Sequence, residues 1–444
     1  LRDRGYASTV YEASGRIGGR MFSNTGYFAA NQVSEWCGEL IDTGHQTVRG
    51  LAARYNLAVD DLLAAQPTGS TETYHFNGSY YSKADATADF LDILDIVDAD
   101  VKDAGYPTLY NDFTPEGNEL DHTSVRAWIE SRVPGGATSA LGKLLDTAYA
   151  IEYGAETTDQ SSLNMLYLLG YQPHPNSFEV FGESDERFHI RGGNQRLPEA
   201  IAADLGGAVQ TGYKLVRVAQ TPNGRYRCTF DRGASSVEVV SDYVVLALPF
   251  AVLDNVDTSN AGFDAKKRTA ISQLGRGHNG KLQLQFAQRG WLGSGRNGSS
   301  YSDTGYQASW DVTRAQAGTP GILVLYSGGS VTDAMKTTSP FATATDAKVL
   351  QDAQRGLTQL SSVYPGLSWN GKVTQSLPHR SSLFGASYSY WKVGQYTSFS
   401  GYEGAPQGGV HFCGEHTSQD YQGFMEGGAT TGIATAKALF PLLK

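Results

Sequence analysis

The sequence predicts a mixed α/β fold of two domains, each assembled from segments far apart in the chain. Three observations carry this. Strand-like stretches lie near both ends, at 8–13 and 409–415, with helical periodicity between them. From Tyr213 the apolar spacing changes to a period of two. The length of 444 residues also exceeds the roughly 250–300 at which one hydrophobic core stops growing.

Taken in order, "LRDRG" reads as the end of a helix stopped by Gly5. Residues 8–13 read as a short buried strand ending in the carboxylate Glu12. In "QTVRGLAARYNL" (46–57), Val48, Leu51, Ala52 and Tyr55 share one helical face. "ATADFLDILDIVDADVKDAG" (86–105) reads as one acidic-faced helix ending at Gly105. Pro, Asn and Gly punctuate further helical stretches over 106–185. "YKLVRVAQ", the turn "PNG", "RYRCTF", a Gly-Ala-Ser-Ser turn and "VEVV" then make a three-stranded meander. It leads into "DYVVLALP" (242–249), a continuous apolar run of the kind buried on both faces of a parallel sheet. "GVHFCGE" (409–415) reads as a strand, and "GFMEGGATTGIATAKALFPLL" as a helix whose first turn is rich in small residues.

Composition removes several functions. Apolar content of 40% with 18% charged residues describes a soluble globular chain. A net charge of −10 without basic runs argues against nucleic acid, which needs a cationic face. No apolar run approaches the roughly 20 residues of a membrane span. Cys37, Cys228 and Cys413 follow no metal or disulfide spacing, and the nine His are scattered. "GRGHNGK" (275–281) spells GxGxxG and nearly a phosphate-binding loop. Yet Leu282 stands where a magnesium-binding hydroxyl is needed, and the loop follows a helix rather than a strand.

"VYEASGRIGGR" (10–20) is the chemical stretch. In a dinucleotide-binding βαβ unit, an acid ending the second strand hydrogen-bonds a ribose, roughly 20 residues after the glycine fingerprint begins. Glu12 suits that role, but counting back from it passes Leu1. The first strand and its GxGxxG are therefore expected to be missing from this chain, a piece of a longer protein. Gly18 and Gly19 let backbone approach a diphosphate or a ring edge. Arg16 and Arg20 offset phosphate charge or orient the loop; the alternative is a surface turn. The N-terminus of the closing helix, with its bare glycines, offers free N–H groups and a positive dipole.

"YEASGRIGGRMFS" resembles the acid and diglycine segment of flavin-dependent amine oxidases, the monoamine, polyamine and L-amino-acid oxidase superfamily. "IRGGNQRLPEAIA", "DYVVLALPFAVL", "GKLQLQFAQRGW" and "HFCGEHTSQDYQGFMEGGATTGIATAKAL" resemble further segments of the same family in the same order. The resemblance implies a Rossmann-like FAD-binding domain over 1–60, 187–275 and 394–444. It also implies a partly helical substrate domain over 61–186 and 276–393. Glu12 would meet the adenosine ribose. Arg16, Gly18, Gly19 and Arg20 would follow the diphosphate and flavin edge. Leu215 would meet adenine, Gly414 and Glu415 the diphosphate or ribityl chain, and Met425 the start of the flavin-facing helix. Lys281 resembles the lysine that holds a water near flavin N5. Tyr388 and Phe424 match the aromatics flanking the substrate amine. Ser387 replaces the cysteine of covalent members, so FAD is expected to be non-covalent.

The implied reaction oxidises a primary amine or L-amino acid with O2, giving hydrogen peroxide and ammonia. "CGELID" lacks the family's carboxylate-binding arginine, and Glu39 and Asp42 are instead candidates for a cationic substrate tail. The resemblance leaves room for a homodimer. Two alternatives stand beside it, a cofactor-free member of the fold and a flavin-dependent desaturase.

Overall fold

The computed structural model describes residues 1–443. Its largest layer is an eight-stranded mixed sheet. The strand order is Phe341–Thr343, Trp369–Ser376, Asn279–Phe286, Gly321–Gly328, Ala308–Asp311, Arg296–Ser302, Thr71–Phe76 and Ser79–Tyr81. Only the pairing of Arg296–Ser302 with Thr71–Phe76 is parallel.

The central strand Asn279–Phe286 is buried along its whole length, yet alternates polar and apolar residues. Side chains of a strand alternate between faces. Leu282, Leu284 and Phe286 pack with Val349, Ala353 and Leu360 of the helix Ala347–Leu360. Lys281, Gln283 and Gln285 reach the opposite side, where they donate to the carbonyls of Cys37, Glu35 and Ala29. The buried polar row therefore bonds backbone carbonyls of segment 29–39 and moors it against the sheet.

A helical layer fills the space beside the sheet. Lys83–Leu91, Leu94–Ala104, Val125–Arg132, Ala140–Tyr153 and Ser162–Leu169 share a core containing Phe90, Trp128, Leu144, Tyr149 and Leu166. The single helix expected over 86–105 is two, parted at Asp92 and Ile93. Asp95 falls in the first turn of the second helix, where the dipole favours a carboxylate that mid-helix would not.

The meander forms as expected from Lys214–Gln220, Tyr226–Asp231 and Ser236–Ser241. Val10–Glu12 runs parallel to Val209–Thr211, and Val244–Leu246 parallel to Val410–Phe412. The stretches at 8–13 and 242–249 are not buried on both faces: Val10 is 43% and Val245 41% exposed. Each belongs to a two-stranded piece, so no broad sheet covers it. The closing helix Met425–Leu439 packs on Gln46–Arg54, and the Glu426 carboxylate accepts from the N–H groups of Thr47 and Val48. One helix thus caps the other across 378 residues of sequence. Among the described residues no helix is long and apolar enough to cross a membrane.

Gly328 ends the strand Gly321–Gly328 where it meets Ala140–Tyr153; a Cβ there would lie 2.2 Å from the Ala150 carbonyl oxygen and 3.0 Å from Ile151 Cα. Gly328→Ala should cost about 1–3 kcal/mol, the range for overpacking. Chemical denaturation checks this, with an unchanged midpoint as the opposing result.

Candidate functional site

A cavity of about 1280 Å³ opens between the two parallel strand pairs, the glycine doublet, the start of the closing helix and the polar face of the large sheet. A single ligand site typically spans about 300–1,000 Å³, so this one has volume for more than one ligand.

One end carries the residues expected to hold a dinucleotide. Glu12, Gly18, Gly19, Arg20, Leu215, Gly414, Glu415 and Met425 all line the wall. Gly18 has φ +111°, and a Cβ there would sit 2.7 Å from the Met21 carbonyl, so both torsion and space require glycine. The Glu12 carboxylate accepts from Ser14 N–H at 2.7 Å, which fixes its direction at the strand end. Arg20 donates to the Ser387 carbonyl at 2.7 Å and to Glu415 at 3.0 Å. Glu415 also accepts from the Ser389 hydroxyl and the Gly423 N–H. Burial works to raise the Glu415 carboxyl; Arg20 and these donors hold it below the usual range. The acid therefore fixes the arginine on the cavity wall. Arg16 is not on the wall. Its guanidinium stacks 3.8 Å from the Phe22 ring and donates to the carbonyls of Ile17, Gly19 and Met21, so it shapes the glycine loop from behind.

The donor set at this end fits FAD. There is a strand-ending acid, bare glycine backbone, one arginine, and the N-terminal turn of a helix with Gly428 and Ala429 on the wall. Ser387 donates to the Asn279 side chain at 2.6 Å. Cys37 also lines the cavity, but burial pushes its thiol up to about 12, which leaves it a poor nucleophile.

The other end is aromatic and acidic. Tyr388 and Phe424 both reach it, as expected, and Trp310 and Tyr326 join them. The hydroxyls of Tyr326 and Tyr388 are 3.0 Å apart, and the Trp310 and Tyr326 rings pack at 5.1 Å. Lys281 Nζ lies 2.6 Å from Glu39 and 2.7 Å from the Cys37 carbonyl oxygen, and the other Glu39 oxygen accepts from Trp310 Nε1 at 2.9 Å. Burial opposes ionisation of Glu39, but Lys281 and Trp310 prevail and hold it below the usual range.

These contacts correct the expected tail site. Glu39 faces the cavity with both oxygens engaged. Asp42 is absent from the wall; it accepts from the Ser184 hydroxyl at 2.8 Å and the Glu186 N–H at 2.9 Å, and sits 3.4 Å from His45. The free carboxylates are two that the sequence reading missed, Glu152 and Glu186. Both line the cavity, and neither side chain has a hydrogen bond or ion pair among the described residues. Burial pushes Glu152 up to about 8 and Glu186 up to about 7, with Asp42 repelling both. Glu186 has φ +46°, a conformation most side chains avoid and functional sites tolerate. Nothing in "AIEYGAE" or "GESDERF" distinguishes either acid from a solvated charge.

Removing one partner of a buried ion pair costs about 3–5 kcal/mol. Lys281→Met should lose about that much stability in a urea melt. Adding Glu39→Gln should restore much of it, because the stranded charge then disappears. A double variant no more stable than the single one would contradict the pairing.

The chain and its fold resemble known proteins. An L-amino acid dehydrogenase of Synechocystis sp. is 23% identical over 455 residues, spanning 99% of this chain and 90% of its own length. Cyclohexylamine oxidase from Brevibacterium oxydans superposes with a TM-score of 0.81 at 18% identity, over 99% of this chain and 94% of that one. Wild-type putrescine oxidase bound to putrescine gives 0.79 at 15% identity, over 99% and 95%. The family model for flavin containing amine oxidoreductase matches residues 1–440. The FAD expected from the sequence is of this family's cofactor class, and the chain belongs to the flavin containing amine oxidoreductases.

Proposed function

We propose that the protein is an FAD-dependent oxidase of primary amines that carry a second cationic group, such as a short diamine. The observation that carries this is the pair of unpartnered carboxylates, Glu152 and Glu186, on the wall of the aromatic end. Segments 1–60, 187–275 and 394–444 would hold the cofactor, and 61–186 and 276–393 the substrate. Glu12, Gly18, Gly19, Arg20, Leu215, Gly414 and Met425 would hold FAD, with Glu415 fixing Arg20. When bound, FAD supplies the acceptor that takes hydride from the carbon next to nitrogen and passes the electrons to O2, giving hydrogen peroxide and an imine that water hydrolyses to ammonia and a carbonyl compound.

The chain's own residues do the rest. Tyr388 and Phe424 flank the reacting amine, and ring faces favour an amine group between them. Burial and the neighbouring Tyr326 hold the Tyr388 hydroxyl well above its ordinary value, so it stays neutral and acts as a dipole. Lys281 is pinned by Glu39 and the Cys37 carbonyl, where it can hold a water beside the reacting carbon. A substrate carboxylate would find that cation already matched, which favours a diamine over an amino acid. Glu152 and Glu186 bind the distal ammonium and set the substrate's depth; this positions the α-carbon without an acid–base step.

A charge-assisted hydrogen bond is worth about 1.5–3 kcal/mol, or about 10- to 150-fold. Glu152→Gln and Glu186→Gln should therefore lower kcat/KM for putrescine by about 10- to 100-fold, and change a monoamine of similar length little. Peroxide-coupled assays across diamines, monoamines and L-amino acids read this directly. Equal losses on all three classes would remove the two acids from substrate recognition, and oxidation of L-amino acids alone would overturn the diamine reading.

The pH response has a fixed sign. Folding raises both carboxyls, so the charged forms are penalised between their unfolded value near 4.5 and folded values near 7 and 8. Glu152→Gln should thus raise Tm at pH 8.5 and leave it unchanged at pH 4. Diamine affinity in the native protein should rise as pH climbs through 7 to 8, as the two acids ionise.

A further inference from the structure

We infer that His278, Asp333 and His379 form a binding site for a divalent cation of the zinc class, separate from the amine chemistry. The three come from different parts of the chain. His278 lies in the glycine-rich loop "GRGHNGK", Asp333 ends the short helix Gly329–Asp333, and His379 sits in the 3₁₀ turn Pro378–Arg380. Their donor atoms all fall within 4.8 Å of one another. His278 Nδ1 is 2.8 Å and His379 Nε2 3.8 Å from the same Asp333 oxygen, and the two rings stack at 4.4 Å, 18° from parallel. Tetrahedral zinc with ligands at about 2.0–2.1 Å sets neighbouring donors roughly 3.3–3.4 Å apart. The observed separations bracket that value, so small side-chain rotations complete the geometry.

His379 supplies an independent reason. Its side chain is only 8% exposed, yet among the described residues neither ring nitrogen has a hydrogen bond; Nδ1 is fully buried without a partner there, and Asp333 at 3.8 Å is too far. An unsatisfied buried polar group costs about 1–3 kcal/mol, and this ring has no protein partner competing with a metal for the nitrogen that faces Asp333. The backbone is fixed in advance: His278 N–H donates to the Gly154 carbonyl at 2.7 Å, Gly329 N–H to the His278 carbonyl at 3.1 Å, and Leu377 N–H to the Pro340 carbonyl at 2.7 Å. Two imidazoles and one carboxylate suit zinc, nickel or copper and discriminate against magnesium and calcium, which prefer oxygen cages. Three protein ligands leave a fourth position for water at the half-exposed face. His278 precedes Lys281 by three residues and His379 lines the cavity, so the cation would clip the start of strand Asn279–Phe286 to the turn that leads into Tyr388.

Calorimetric titration of the intact protein with zinc chloride tests this. One equivalent should bind saturably, magnesium chloride should give no heat, and His278→Gln or Asp333→Asn should each weaken zinc by about 100-fold or more, beyond what loss of an outer-sphere partner costs. Both residues are substantially exposed, so the variants should melt like the parent without metal. Copper(II) loading gives a second reading, with nitrogen hyperfine structure from two imidazoles in the parent and one in His278→Gln. Zinc affinity unchanged in both variants, no saturable zinc binding, or the same copper signal in parent and variant would overturn the site.

Discussion

The buried pair of Lys281 and Glu39 is the constraint on which the cavity depends. Two charges 2.6 Å apart away from bulk water are tolerated only if their remaining hydrogen-bonding capacity is met. Trp310 takes the second oxygen of Glu39 and the Cys37 carbonyl takes the lysine, so the pair, the indole and segment 35–39 lock in one arrangement. The strand register follows, because Lys281 lies on the same face as Gln283 and Gln285, which bond the backbone of segment 29–39. A slip of one residue would turn all three toward the apolar helix and bury them unsatisfied.

The pair also divides the carboxylates of the cavity into two kinds. Glu39 and Glu415 each face a cation and saturate their oxygens, and both are held low despite burial. Glu152 and Glu186 are half-buried near Asp42 without an ion pair among the described residues, and burial holds both high even though Arg314 and Lys281 pull Glu186 down. The first kind is architectural: it fixes Lys281 and Arg20 in place. The second kind is a stored deficit of positive charge. Natural interiors rarely keep such a deficit without use, and perturbed groups in clefts concentrate at functional sites. A cationic ligand is the simplest species that removes it.

The glycine-doublet end of this cavity is legible in the sequence and the aromatic end largely is not. Glu12, Gly18, Gly19 and Arg20 announce themselves because a loop that approaches a ligand needs glycine torsions at fixed spacing from a strand end. The period-two meander and the closing helix are legible for the same local reason. In strand Asn279–Phe286, Lys and Gln alternate with apolar residues, and the backbone of 29–39 lying across them is what makes their face interior. Residues 86–105 read as one helix because a pattern of apolar residues does not record where an acid would sooner start a new turn. Glu152 and Glu186 carry no local signal at all. Their chemistry comes from the helix Ala140–Tyr153 and the loop carrying Glu186 facing one cavity, a long-range fact.

The acids of "CGELID" are the instructive case. Read as a motif, Glu39 and Asp42 offer negative charge to a substrate. In the fold each acts at one remove. Glu39 holds Lys281, and Asp42 accepts the N–H of Glu186 at 2.9 Å, pinning that residue in a left-handed conformation it would otherwise leave. Such strain costs about 1–3 kcal/mol, and the Asp42 contacts to Ser184 and Glu186 are what offset it. A charge in a sequence states what can be bound, but burial and geometry decide which partner it takes. Here both acids take protein partners, and the carboxylates they leave unpaired are the ones presented to the cavity.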